Sequence, residues 1–141
     1  MISTSTTPAS PPLAISNRRR RGYIMLIEDD AGVREGLCEI IVDEGYSVVC
    51  CPDGRAAMDR LASSPELPRM IVLDFGMPRM DGWAFLAERR KDARLRNIPV
   101  VGMSASQHFV DHKRPPAEVD ELLKKPFAVE DMLRSIEKHW A

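Results

Sequence analysis

Glu28, Asp29 and Asp30, then Asp74, then Ser104, then Lys125 each follow a short apolar run, and their types fit one metal ion and one phosphoryl group. Carboxylates gathered at one place repel by on the order of 4 kcal/mol per pair at about 4 Å, so they either take up protons or recruit a cation. Oxygen-only donors with room for water suit magnesium, which takes one or two carboxylates together with phosphate oxygens. A lysine ammonium and a serine hydroxyl are not needed by a bare metal site, but they serve a phosphoryl group. An aspartate beside a metal and a lysine can act as a covalent phosphate acceptor.

These residues meet only if the elements carrying them are arranged to make them meet. The apolar runs cover residues 23–27, 70–73, 100–103 and 122–124, with helix-like segments between them, which is the pattern of a parallel sheet with crossover helices. The carboxyl ends of parallel strands share one edge, where open α/β sheets bind ligands. Residues 47–51 read as a further strand, followed by the turn signal Pro52, Asp53, Gly54.

Helical stripes fall at Val33, Leu37, Ile40 and Ile41, then at Ala57, Met58 and Leu61. Asp81 is placed to cap a helix carrying Trp83, Phe85 and Leu86 to about Asp92, and Pro99 introduces the next strand. The last helix has the strongest stripe, Val129, Met132, Leu133, Ile136 and Trp140, with Glu130 and Asp131 in its first turn. Residues 106–119 contain His108, His112, Pro115 and Pro116, so any helix there, fourth in order, should be short or irregular.

A chain of 141 residues, 44% hydrophobic, suits one domain. Residues 1–21 form a Ser/Thr/Pro-rich tail ending in Arg18 to Arg21 and carry no acid, which predicts a disordered extension. The rest holds 16 basic and 21 acidic residues. The arginine block lacks interleaved aromatics, so nucleic acid is not an expected partner. Cys38, Cys50 and Cys51 make neither a disulfide framework nor a zinc spacing, and adjacent Cys50 and Cys51 should face opposite sides of a strand. No run approaches the roughly 20 apolar residues of a membrane span and no secretory signal is evident, so no membrane insertion and a cytoplasmic location are expected.

The segments IMLIEDDAGVRE, IVLDFGMPRMDG, IPVVGMSA and LLKKPF stand in this order. Together they give the chain a resemblance to the receiver domains of two-component response regulators, over residues 22–141. The resemblance implies a doubly wound, flavodoxin-like (βα)5 fold with a five-stranded parallel sheet. It implies a phosphoacceptor at Asp74, served by a histidine kinase or a histidine phosphotransfer protein, and a Mg2+ site. Asp29 would bind the ion directly, Glu28 mainly through a water, and Gly76 through its carbonyl, with Asp74 completing the set. Ser104 and Lys125 would act on the phosphoryl group, and the Lys125–Pro126 bond would often be cis. Such a domain is no enzyme beyond its own phosphorylation and dephosphorylation. With no output domain expected on either side, it would act alone on a separate downstream protein.

Asp30 reads as a supporting acid or the cap of the first helix, with capping the favoured reading. Receivers usually carry an aromatic three positions before the lysine, where this chain has Leu122, and Pro115 and Pro116 interrupt the same region. The alternative reading is therefore a protein-interaction module with the receiver fold that signals without phosphorylation. Asp74, Phe75 and Gly76 also spell a kinase metal-binding tripeptide, but the other kinase motifs are missing. A haloacid-dehalogenase-type phosphatase would want an aspartate where Gly76 stands. His108 and His112 lack a convincing third zinc ligand.

Overall fold

The computed structural model describes residues 21–77, 80–105 and 118–140. Residues 1–20 of the tail, residues 106–117 of the region expected to hold the fourth helix, with His108, His112, Pro115 and Pro116, and Pro78 lie outside the described residues. The described elements are β1 (Tyr23–Ile27), α1 (Ala31–Asp43), β2 (Ser47–Cys51), α2 (Gly54–Ser63), β3 (Met70–Asp74), α3 (Gly82–Arg90), β4 (Val100–Ala105), β5 (Glu121–Lys125) and α4 (Val129–His139). The strands form one parallel sheet in the order β2-β1-β3-β4-β5. This is the doubly wound topology, whose order reverses between β1 and β3, so a crevice opens where their carboxyl ends diverge.

Side-chain alternation along buried strands splits the core into two layers. Met25, Ile27, Ile71, Leu73 and Val100 pack under α2 and α3 with Leu61, Phe85 and Leu86. Ile24, Leu26, Val72, Val101 and Met103 pack against Leu37 and Ile41 of α1 and Met132 and Ile136 of α4. Cys51 joins the first layer and Cys50 the second, as their adjacency predicts. Val33 and Val129 depart from their expected stripes, at 42% and 41% exposure. Both lie in the first turn of their helices, α1 and α4, whose buried residues begin only later, at Leu37 and Met132.

Three helix starts are fixed by aspartates. Asp30 accepts from the Val33 N–H at 2.9 Å, Asp53 from Ala56 at 2.8 Å and Asp81 from Ala84 at 2.9 Å, each satisfying an orphan donor of a first turn. α3 ends at Arg90, two residues short of its expected end, and turns lead to Pro99. α4 is tied to the edge strand β5 through Glu121, whose Oε1 lies 2.9 Å from both Ser135 Oγ and His139 Nε2. The Lys125–Pro126 peptide is cis.

Candidate functional site

The sheet ladder continues past the strand ends and carries the site residues with it. Glu28 N–H donates to the Cys51 carbonyl at 3.0 Å, and Phe75 N–H donates to the Met103 carbonyl at 3.0 Å. These rungs place Glu28 beyond β1 beside β2, and Asp74 at the end of β3 opposite Met103. Carboxylate oxygens of Glu28, Asp29 and Asp74 all lie within 4.8 Å of one another. Glu28 and Asp74 are buried, at 1% and 2% exposure, whereas Asp29 is open to solvent.

Lys125 enters from the end of β5, across the sheet. Its Nζ is 3.4 Å from Glu28 Oε1 and 3.5 Å from Asp74 Oδ1, which links residues 97 and 51 positions apart in the chain. These are long contacts for charge-assisted hydrogen bonds, so the ammonium holds the two acids mainly by its charge. Among the described residues, one ammonium faces three carboxyl groups, which leaves the pocket short of positive charge. Burial, and then the neighbouring Asp74 charge, push the Glu28 carboxyl up to about 7. Buried oxygen donors short of positive charge form a set that magnesium fits.

Ser104 is fully buried on β4, one residue past Met103, the cross-strand partner of Asp74, and its Oγ donates to the Ala105 carbonyl at 2.8 Å. Gly76 is exposed, and its N–H donates to Asp74 Oδ1 at 3.1 Å. The structure thus brings Glu28, Asp29, Asp74 and Lys125 together, with Ser104 and Gly76 on the adjoining strand and loop. Asp30 stands apart as the α1 cap, yet its N–H donates to Glu28 Oε2 at 3.1 Å.

Arg34, the arginine five residues after Asp29 in the segment IMLIEDDAGVRE, has a role that spacing alone did not reveal. From α1 its Nη1 donates to the carbonyls of Glu28 at 3.0 Å and Asp29 at 3.3 Å, clamping the backbone of the acidic turn without neutralising its carboxylates. The signal available was an arginine in the second turn of a helix that opens directly after the acids.

Residues 24–137 match the family described as the response regulator receiver domain. The chain belongs to that family. The receiver is 35% identical over 111 residues to response regulator MprA of Mycolicibacterium vanbaalenii, covering 78% of this chain and 46% of that protein. It therefore spans about half the length of the curated MprA relatives it matches. The signal receiver domain of a signal transduction histidine kinase from Syntrophus aciditrophicus superposes with a TM-score of 0.75 at 25% identity, over 84% of this chain and 89% of that one. A CheY-like response regulator receiver domain protein from Methanospirillum hungatei gives 0.71 at 26% identity, over 84% and 94%. Chemotaxis response regulator CheY4 of Vibrio cholerae, at 22% identity and a TM-score of 0.73 over 84% and 98%, shares the fold.

The receiver is a two-component signalling module and not a conventional enzyme. Its acidic pocket of Glu28, Asp29 and Asp74 is consistent with phosphoaspartate signalling, and such a carboxylate cluster is typical of the Mg2+ site of a receiver. Among the described residues, no helix is long and apolar enough to cross a membrane.

Proposed function

We propose that the receiver takes a phosphoryl group onto Asp74 from a phosphohistidine on a histidine kinase or a histidine phosphotransfer protein. In this step an Asp74 carboxylate oxygen attacks phosphorus, the P–N bond breaks, and the imidazole leaves with the electron pair and takes up a proton. The observation that carries the reading is the placement of Lys125 within 3.5 Å of both buried carboxylates, Glu28 and Asp74.

Asp29, Glu28, Asp74 and the Gly76 carbonyl are the groups that would hold Mg2+. The ion, when bound, supplies positive charge to the phosphoryl oxygens. Lys125, beside Asp74 Oδ1, supplies a second positive charge, and the Ser104 hydroxyl is one strand away, able to donate to a phosphoryl oxygen once it rotates from Ala105. Arg34 keeps the acidic turn in register while charge at the site changes. The domain boundary we propose is residue 22, with residues 1–21 outside the receiver, which agrees with a family match that begins at residue 24. The location we propose is the cytoplasm, the same compartment as the phosphohistidine that would serve Asp74.

Intact mass after treatment with a small-molecule phosphodonor and magnesium tests the reading. One added phosphoryl mass, lost in Asp74→Asn, is expected. A receiver that stays unlabelled would turn the reading to an interaction module working without phosphorylation.

A further inference from the structure

Phe75, the residue after the acceptor, occupies a slot that two glycines leave open. A Cβ on Gly82 would come within 2.5 Å of Phe75 Cδ1, and a Cβ on Gly102 within 2.6 Å of Phe75 Cε2, distances that no side chain could adopt without displacing the ring. The Gly102 position would also meet Leu122 Cδ1 at 3.2 Å, so Phe75 and Leu122 share the space above that glycine. On the outer side the Phe75 ring packs at 58° against Trp83, with centroids 5.2 Å apart. Phe75 is 2% exposed, whereas Trp83, in the first turn of α3, is only partly covered.

The backbone around Phe75 is bracketed by the acceptor itself. Asp74 Oδ1 accepts from Gly76 N–H, two residues on, which closes a turn with Phe75 at its centre, and the Phe75 N–H is held by the Met103 carbonyl. Adding a phosphoryl group to the Asp74 carboxylate changes the charge and geometry of the acceptor that holds this turn. A ring keyed between two glycines and the ladder has little free volume, and close-packed groups pass a displacement on rather than absorb it. The outward neighbour is Trp83.

We infer that Phe75 is a positioning residue: it fixes the acceptor turn between Asp74 and Gly76 and couples the state of Asp74 to Trp83 on the surface of α3. The inference rests on Asp74 being the phosphoacceptor. It places an aromatic connection on the α3 side of the sheet, while β5 carries Leu122.

The receiver labelled with 5-fluorotryptophan contains two probes, Trp83 and Trp140, which a Trp140→Phe variant assigns. Trp140 packs on Tyr46 and Arg69, away from the acceptor turn, and serves as the control. Phosphodonor and magnesium should shift the fluorine signal of Trp83 and leave that of Trp140 in place, while intact mass reports labelling in the same sample. In Phe75→Leu, labelling should slow by about tenfold to a hundredfold, the scale of a small misplacement of a reacting group, and the Trp83 shift on phosphorylation should vanish. Full labelling of the unaltered receiver with a stationary Trp83 signal overturns the inference while the acceptor assignment stands. A Trp83 shift that survives in Phe75→Leu overturns it as well. Absence of labelling removes the acceptor assignment and the inference together. Where Phe75→Leu does not fold, a stationary Trp83 signal in the fully labelled, unaltered receiver still overturns the inference.

Discussion

Arg34 holds Glu28 by its backbone carbonyl, at 3.0 Å, and leaves the carboxylate to face Asp74 and Lys125. A guanidinium that paired with the carboxylate would quench the charge a cation needs. Clamping the main chain instead positions the acid without spending it. Arg34→Ala should therefore weaken magnesium binding while leaving every proposed ligand in place. It should also lower stability by about 1.5 to 3 kcal/mol, the range for a hydrogen bond to a charged group. Calorimetric titration with magnesium and a denaturant melt check both effects, and unaltered affinity would assign the clamp to folding alone.

Asp29 and Asp30 are adjacent acids with separate structural roles, so their alanine variants should fail differently. Asp30→Ala removes the α1 cap and should cost about 0.5 to 2 kcal/mol of stability with a modest effect on magnesium. Asp29→Ala touches an exposed side chain and should leave melting nearly unchanged while weakening magnesium binding most. Equal losses of affinity would mean a diffuse acidic site rather than one direct ligand.

The raised Glu28 carboxyl gives the metal-free receiver an inverted pH response. Its folded pKa, about 7, lies above the ordinary glutamate value of 4.5, so between these values the folded state holds a proton that the unfolded chain releases. This contribution to stability is fully present near the lower value and is lost as pH rises through about 7. Melts of metal-free receiver at about pH 5.5 and about pH 8, compared with Glu28→Gln, isolate it. The parent should lose more stability than the glutamine variant as pH rises, and magnesium should remove the difference by favouring the ionised acid.

Leu122→Tyr tests whether β5 has space for the aromatic that receivers usually carry there. Leu122 packs partly buried against the α2 and α3 layer, beside the Phe75 ring over Gly102. A larger ring should overpack this corner at about 1 to 3 kcal/mol. Unchanged stability with altered binding to a partner when phosphorylated would show instead that the corner accepts a second aromatic.

Much of this was legible in the chain because the central strands β1, β3 and β4 are buried along nearly their whole length, so the polar residues Asp74 and Ser104 stood out at or beside their ends, and Lys125 closes the edge strand β5. Asp30 and Asp81 were legible as caps for the same reason, a short polar side chain opening an apolar stripe. The exposure of Val33 and Val129 was not, since periodicity assigns a face and is silent on where along the helix burial begins. Nor was the Arg34 clamp, which depends on a carbonyl and not on a side-chain pair. The Phe75 slot depends on Gly82 and Gly102, whose relation to it exists only once β3 and β4 pair in register.

The final rungs from Glu28 to Cys51 and from Phe75 to Met103 tether a set of mutually repelling carboxylates to the edge of a hydrogen-bonded sheet. Released from that ladder, the acids would drift apart into water, so the sheet acts as a spring held compressed by the fold. Any cation that relaxes it is drawn to the folded form over the unfolded one, and raises the melting temperature in proportion to the logarithm of its concentration once saturating. Conversely, fraying at the edge strand β2 would loosen the grip on the ion before the central strands open. Slow amide exchange at Glu28 and Phe75, slowed further by magnesium, would be the physical trace of that tension.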